Sequence, residues 1–527
     1  MKNFIAVLIV SLFLMSCAEK KEVKLIPLTS DSPEAIALMR EYIKNWEERK
    51  WYLNRGIKDS ILKLDPNFAM ALAWQDNFQE MGARREMINK AYEARTKVSA
   101  FESKFIEARY EIIINSNVKA ADSIVSQTLI DFPDYYELYA IAGDLKNNLN
   151  EPEKSEKLWE KQLELNPNSF SAYENLAFLH FPTGTNFTML PENKRDLDKA
   201  ARLLDELQEK YPSSHMPSRF LGNIYRAKND FEMAENSYLN ALTIMDRTFN
   251  MDDKDQANEY GNSLLMMGHI NTFQERYDQA REYYQKSIDV SIPWWKVQIS
   301  VLNSHTYLYE KNYSNAVFVL SDIYEQVSTF DEIDEISKNN MRFFIEFSKF
   351  LAFGHSLNED ETLKSMENMS ILRSKNMQMM RDNASSDTEI DRLNIGEERN
   401  KLDFEIWQNV LFGRYEIANQ LLEKFKDLST KASSWNANAM NEYYSLKGYN
   451  SLMEGNPELS LENYNKIPPA VIDNDSYHKY FKALALRATG KDKESQEIMI
   501  VLANDNFATW QNSIVKNLAK AQIKTNL

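Results

Sequence analysis

A chain of 527 residues that is 43% hydrophobic and 12% aromatic can bury a large core, while a formal charge of −16 sets it against any nucleic-acid backbone. One cysteine excludes a disulfide framework and a cysteine-based metal site. Thirteen glycines and 14 prolines are too few for an all-β or loop-rich enzyme of this length, so helices joined by short turns are the economical reading.

The N-terminus opens with Lys2 and an apolar run from Phe4 to Met15 interrupted only by Ser11. That run is about half of the ~20 residues a spanning helix needs, which predicts a signal peptide over residues 1–16. It ends in Leu14-Met15-Ser16-Cys17, which resembles the lipobox of bacterial lipoproteins. The resemblance implies a diacylglycerol on the thiol of Cys17, cleavage after Ser16 and acylation of the new amino group. Ala18, in place of an aspartate, follows Cys17, and by the sorting habit of Gram-negative lipoproteins this favours the outer membrane. Cleavage removes the charge of Lys2 and takes the formal charge from −16 to −17. The chain has no long basic cluster and Lys20-Lys21 is too small to serve as one, so nucleic acid is not expected as a partner. Residues 17–32 read as a lipidated tether, broken by Pro27 and by Ser30-Asp31-Ser32-Pro33. Ser32 is an N-cap candidate with Pro33 at the first helical position.

Beyond the tether the chain repeats itself. A degenerate unit covers residues 45–75, with Leu64-Asp65-Pro66-Asn67, and a weak one centres on Ala121 with Pro133. A good unit has Tyr139, Ala142-Gly143, Ser155, Trp159 and Pro167, followed by an expected loop insertion from Phe181 to Asp196. The best runs from His215 to Asp246, with Leu221-Gly222, Tyr225, Ala234, Tyr238 and Ala241. After a polar extension, Asp246 to Asn258, comes Leu264, Met267-Gly268, Ala280, Tyr284 and Ser287. Weak units centre on Ala316 with Leu320, on Ala418 with Leu422 and on Ser495 with Met499; a good one has Tyr444, Gly448, Ser460, Tyr464 and Ile467 before Pro468-Pro469. Pro133 and Pro167 are 34 residues apart, as are Ala200 and Ala234.

This pattern resembles the tetratricopeptide repeat, a helix-turn-helix of about 34 residues whose crossing helices need one contact without a side chain. The resemblance implies an all-α fold of helix-turn-helix repeats stacked into a superhelical α-solenoid. The expected arrays are residues 33–328 and 400–527, separated by an irregular helical segment, 329–399. Met366, Met369, Met377, Met379 and Met380 of that segment are read as core filler.

The six histidines, His180, His215, His269, His305, His355 and His478, stand without ligand or triad company, and the common hydrolase, phosphate-loop and dinucleotide motifs are missing. Asp252-Asp253-Lys254-Asp255 lacks the glycine and distal glutamate of a calcium loop and reads as an acidic turn. Asp331 to Glu335 reads as a helix start. The expectation is therefore no enzyme, no cofactor and no metal. The family resemblance places the first helix of each repeat on the concave side. By that register Met216, Arg219, Asn223 and Arg226 face the groove, with Asn262, Leu265, His269 and Phe273 from the next repeat. Arg219, Asn223, Arg226, His269 and Phe273 are the expected partner contacts, and Arg219 with Asn223 loosely resembles the pairs by which some members grip a peptide carboxylate. The function implied is a membrane-anchored scaffold of the cell envelope that binds another envelope protein or peptide and meets the membrane through its lipid only. Oligomeric state stays open. An alternative is a glycan-binding lipoprotein of the starch-utilisation type, for which Trp294-Trp295 would have to form an exposed platform.

Overall fold

In the computed structural model, which describes residues 23–74, 81–181, 190–384 and 386–523, 26 α-helices and four short 310 turns follow one another with no strand among the described residues. Residues 1–22, and Cys17 with them, lie outside the described residues. No described helix is long and apolar enough to cross a membrane.

The helices come in antiparallel pairs, and the chain's own small residues explain why. Ala121, Ser155, Ala200, Ala234, Ala280, Ala316, Ala418, Ser460 and Ser495, one in the second helix of each of nine pairs, are all 0% exposed. Four of these pairs also carry a glycine in the first helix that meets an aromatic ring sixteen residues later. Gly143 lies under Trp159, Gly222 under Tyr238, Gly268 under Tyr284 and Gly448 under Tyr464, each so close that a Cβ would come within about 3.0 Å of the ring. Bulk on one helix thus fills the gap left on the other, as close packing demands.

In nine of the pairs the turn is equally regular, while the first pair, Pro33–Glu47 with Ile57–Leu64, has two left-handed residues, Arg49 and Gly56, in its link. A single residue adopts positive φ between the helices: Ser116, Asn150, Asn229, Glu275, Lys311 and Leu357 in the first part of the chain, then Gly413, Gly455 and Gly490. The following residue caps the second helix, and Asn117, Asp230, Asn312, Asn358 and Asn456 do so through their side chains. Left-handed exit followed by an N-cap satisfies orphan groups of both helices in a very short link.

Several sequence boundaries move. Residues 329–399 are not an irregular divider: Glu335–His355 and Glu359–Asp382 form the longest helical pair, and the next helix, Asp387–Leu411, runs straight through the expected boundary at 399/400. Phe350, Leu351 and Met369 share one core with Trp407, Tyr477 and Val515, so this segment belongs to the C-terminal array. Its helices are simply longer than a 34-residue period allows. The expected polar extension, Asp246 to Asn258, is mostly helix, because Phe231–Thr248 runs on and Lys254–Phe273 starts early, capped by Asp253. The degenerate unit placed at 45–75 is the end of a pair that begins at Pro33, with helices Pro33–Glu47 and Ile57–Leu64. The later part of the tether does not hang free: Ile26 is buried, Thr29 donates to Glu102 through N and Oγ1, at 2.7 and 2.5 Å, and Arg40 Nη2 donates to the carbonyl of Ile26 at 2.5 Å.

The C-terminal array folds back against the first. Arg85 pairs with Glu389 at 2.5 Å. Lys479 Nζ reaches Glu192 Oε2 at 2.5 Å, and Arg195 Nη2 donates to Asn474 Oδ1 at 2.9 Å, so the described end of the expected 181–196 insertion serves as a strut to the second array. The last helix, Trp510–Gln522, lies against Pro293–Tyr309.

Candidate partner-binding face

The face expected to bind a partner is largely occupied by the chain itself. From the N-terminal side, Glu47 accepts hydrogen bonds from the hydroxyls of Ser169 and Ser171 at 2.5 and 2.6 Å, and Arg49 pairs with Glu174. Tyr52 packs against Phe249 with ring centres 5.0 Å apart and the rings tilted by 50°, and Arg55 Nη2 donates to Asp255 Oδ1 at 2.7 Å. From the C-terminal side, Asn506 Nδ2 donates to the carbonyl of Arg226 and to Asn229 Oδ1, at 2.9 and 2.8 Å. Tyr309 donates to Asn512 Oδ1 at 3.0 Å, Asn517 Nδ2 to the Tyr309 carbonyl at 3.0 Å, and Lys520 Nζ to Glu275 Oε1 at 2.6 Å.

Arg219, Asn223, Arg226, His269 and Phe273 are all buried. The open groove expected to be lined by them is therefore not present, because the first and last segments of the chain lie across it. Arg219 pairs with Glu259, a carboxylate that also takes His215 Nε2 at 3.1 Å and Asn262 Nδ2 at 3.0 Å. Burial alone would raise the Glu259 pKa, but the Arg219 charge and the His215 and Asn262 hydrogen bonds outweigh it and hold the carboxyl down at about 2. Asn223 Oδ1 accepts from the Tyr238 hydroxyl at 2.6 Å. His269 Nδ1 lies 2.8 Å from the Tyr284 hydroxyl, and the Phe273 ring sits edge-on to Tyr309 with 6.3 Å between centres. Among the described residues the Arg226 guanidinium meets only Met266 Sδ and the Phe273 ring, and the Arg219–Asn223 clamp is closed by Glu259 and Tyr238.

Glu259 was missed by the sequence reading, since it falls just after a stretch read as a polar extension. Asn506 and Lys516 were missed as well; Asn506 reaches Arg226 from 280 positions away and Lys516 Nζ stands 5.3 Å from the centre of the Phe273 ring, and no local pattern signals either. Asp255, from the tetrad read as an acidic turn, is buried and held by Arg55.

All six histidines are pushed down in pKa by burial, His305 and His355 to about 4. An imidazole kept neutral in the fold but free to charge when unfolded destabilises the protein as pH drops below the ordinary value of 6.5, and the loss is complete near 4. For His305 and His355 this amounts to about 3 kcal/mol each at the acid end. A His305→Phe/His355→Phe variant should therefore show a flatter fall of Tm between pH 6.5 and 4 than the parent; an identical slope would show that these rings already carry charge in the fold.

Among the described residues no group of three or more His, Cys, Asp or Glu side chains is placed to hold a metal ion. Met369 and Met377 are buried and Met366 packs on the same core, as filler would. Trp294 is exposed but Trp295 packs against Leu265, Ala280, Tyr284 and Ile299, so the two do not make a paired platform.

Two tetratricopeptide-repeat family profiles match the chain, one over residues 219–256 and one over 261–291. The chain carries tetratricopeptide repeats. The matched tetratricopeptide repeats lie on the two helical pairs that hold Gly222 against Tyr238 and Gly268 against Tyr284. With the same pairing before and after them, the all-α tetratricopeptide-like solenoid is the fold of the described chain. Repeats of this kind mediate contacts between proteins, which supports a protein–protein interaction scaffold. No curated protein sequence matches the chain. Among solved structures, the human IFIT1 dimer with PPP-AAAA covers 84% of this chain and 95% of that one at 11% identity, with a TM-score of 0.35.

Proposed function

We propose that this protein is a lipid-anchored scaffold of a bacterial cell envelope, held at the outer membrane through Cys17, which binds another envelope protein and catalyses no reaction. The observation that carries this reading is the pair of consecutive tetratricopeptide repeats, 219–256 and 261–291, inside a longer stack of like pairs. Such a stack presents a surface built jointly by neighbouring repeats. The lipobox-like Leu14-Met15-Ser16-Cys17 supports the anchor. Ile26 is fixed to the body, so the chain between Cys17 and Ile26 spans at most about 30 Å when extended. A body on so short a lead works close to its membrane.

The test is a Cys17→Ser variant expressed in its own host with a metabolic lipid label. Loss of the label and transfer of the protein from the membrane to the soluble fraction are expected. A variant that stays in carbonate-washed membranes would contradict the anchor. Crosslinking of the parent in those membranes should yield a defined protein partner; retention on polysaccharide with no protein partner would favour glycan capture instead.

A further inference from the structure

Three arginines among the described residues are buried: Arg219, Arg226 and Arg399. Arg219 pairs with Glu259 and Arg399 with Glu442. Arg226 pairs with no carboxylate. Its Nε has no hydrogen-bond partner, its Nη1 is 3.9 Å from Met266 Sδ, and its guanidinium stands 5.8 Å from the centre of the Phe273 ring. The groups that feel its charge are the hydroxyls of Tyr238, Tyr284 and Tyr309 and the imidazole of His269. None of these supplies a formal negative charge at neutral pH.

A guanidinium taken out of water without a counter-ion is among the most costly arrangements a fold can keep. Its place in the last turn of helix Met216–Ala227 and the face of Phe273 recover only part of that cost.

We propose that Arg226 is the seat of an oxyanion, a carboxylate or phosphate group presented to the inner face. A planar guanidinium with a free Nε and a second nitrogen on the same edge matches two oxygens of such a group side by side. The low-dielectric surroundings strengthen the attraction. This deepens the scaffold reading and rests on it, since it names the chemistry by which the inner face would hold a partner. Arg219, the residue the sequence favours, is excluded from that role because Glu259 already neutralises it.

The test uses the full chain and three sodium salts, acetate, phosphate and chloride, at matched ionic strength. One or both oxyanions should raise the Tm of the parent above its value in chloride; acetate alone would identify a carboxylate seat and phosphate alone a phosphate seat. In Arg226→Met that extra increment should vanish, while the Tm in chloride should rise by about 2 °C because the unpaired charge is gone. Arg226→Lys, which keeps the charge but not the fork, should retain only part of the increment. Arg276→Met, at an exposed site, should retain all of it. No oxyanion increment in the parent, or an equal increment in parent and Arg226→Met, would overturn the proposal. Either result leaves membrane capture of a partner untouched, so the two readings fail separately.

Discussion

Replacing Gly222 or Gly268 by alanine should destabilise the stack by about 2 kcal/mol at each site, although alanine is the better helix former. The added Cβ at Gly222 would meet the ring of Tyr238, and that at Gly268 the ring of Tyr284. Neither ring can yield. Both are at most 1% exposed, the Tyr238 hydroxyl is tied to Asn223 and the Tyr284 hydroxyl to His269 and Thr272. Gly396 is the internal control, since it lies inside helix Asp387–Leu411 with nothing within 4 Å of where its Cβ would be. There the same change should stabilise by about 0.5–1 kcal/mol through helix propensity alone. Because stacked repeats need not unfold in one step, the comparison is best read from hydrogen exchange within each pair as well as from denaturant melts. Equal effects at Gly222 and Gly396 would show that the helices do not cross at the glycine.

Glu259→Ala should cost more, about 3–5 kcal/mol, because it leaves Arg219 and His215 buried opposite nothing. Removing both partners in Arg219→Met/Glu259→Met should cost far less than the single change, since no lone charge remains. The pH dependence has a definite sign. A carboxylate whose pKa falls from 4.5 to about 2 on folding gives stability that is fully present above pH 4.5 and is lost as pH falls through about 2. Glu259→Met with its partner change should therefore lose that part of the acid sensitivity. A Glu259→Ala cost below about 1 kcal/mol would mean that the cluster is wet, as exposed pairs are.

How much of this was legible in the sequence follows from the range of each signal. The small residues of the second helices and the four glycines were readable because they recur locally, and each sits where two helices of one pair touch. The turns were less so. Six of the nine left-handed positions carry Ser, Asn, Glu, Lys or Leu in place of Gly, so the punctuation a reader looks for is missing from the first two-thirds of the chain. Residues 329–399 escaped because helices of 21, 24 and 25 residues have no 34-residue period to match. The burial of Arg219, Asn223, Arg226, His269 and Phe273 was not legible, because it depends on Tyr52, Arg55, Asn506 and Lys516 arriving from the two ends of the chain. A repeat motif reports what a pair of helices does with itself; it is silent about what fills the space between turns of the superhelix.

The most direct test of that self-filled stack is zero-length crosslinking of carboxylates to amines in the purified, dilute protein, followed by peptide mapping. Lys520–Glu275 at 2.6 Å and Lys479–Glu192 at 2.5 Å should both be captured, joining residues 245 and 287 positions apart in sequence. Crosslinks confined to neighbouring pairs, such as Lys228–Asp198, would mean instead an open solenoid whose inner face is free along its length.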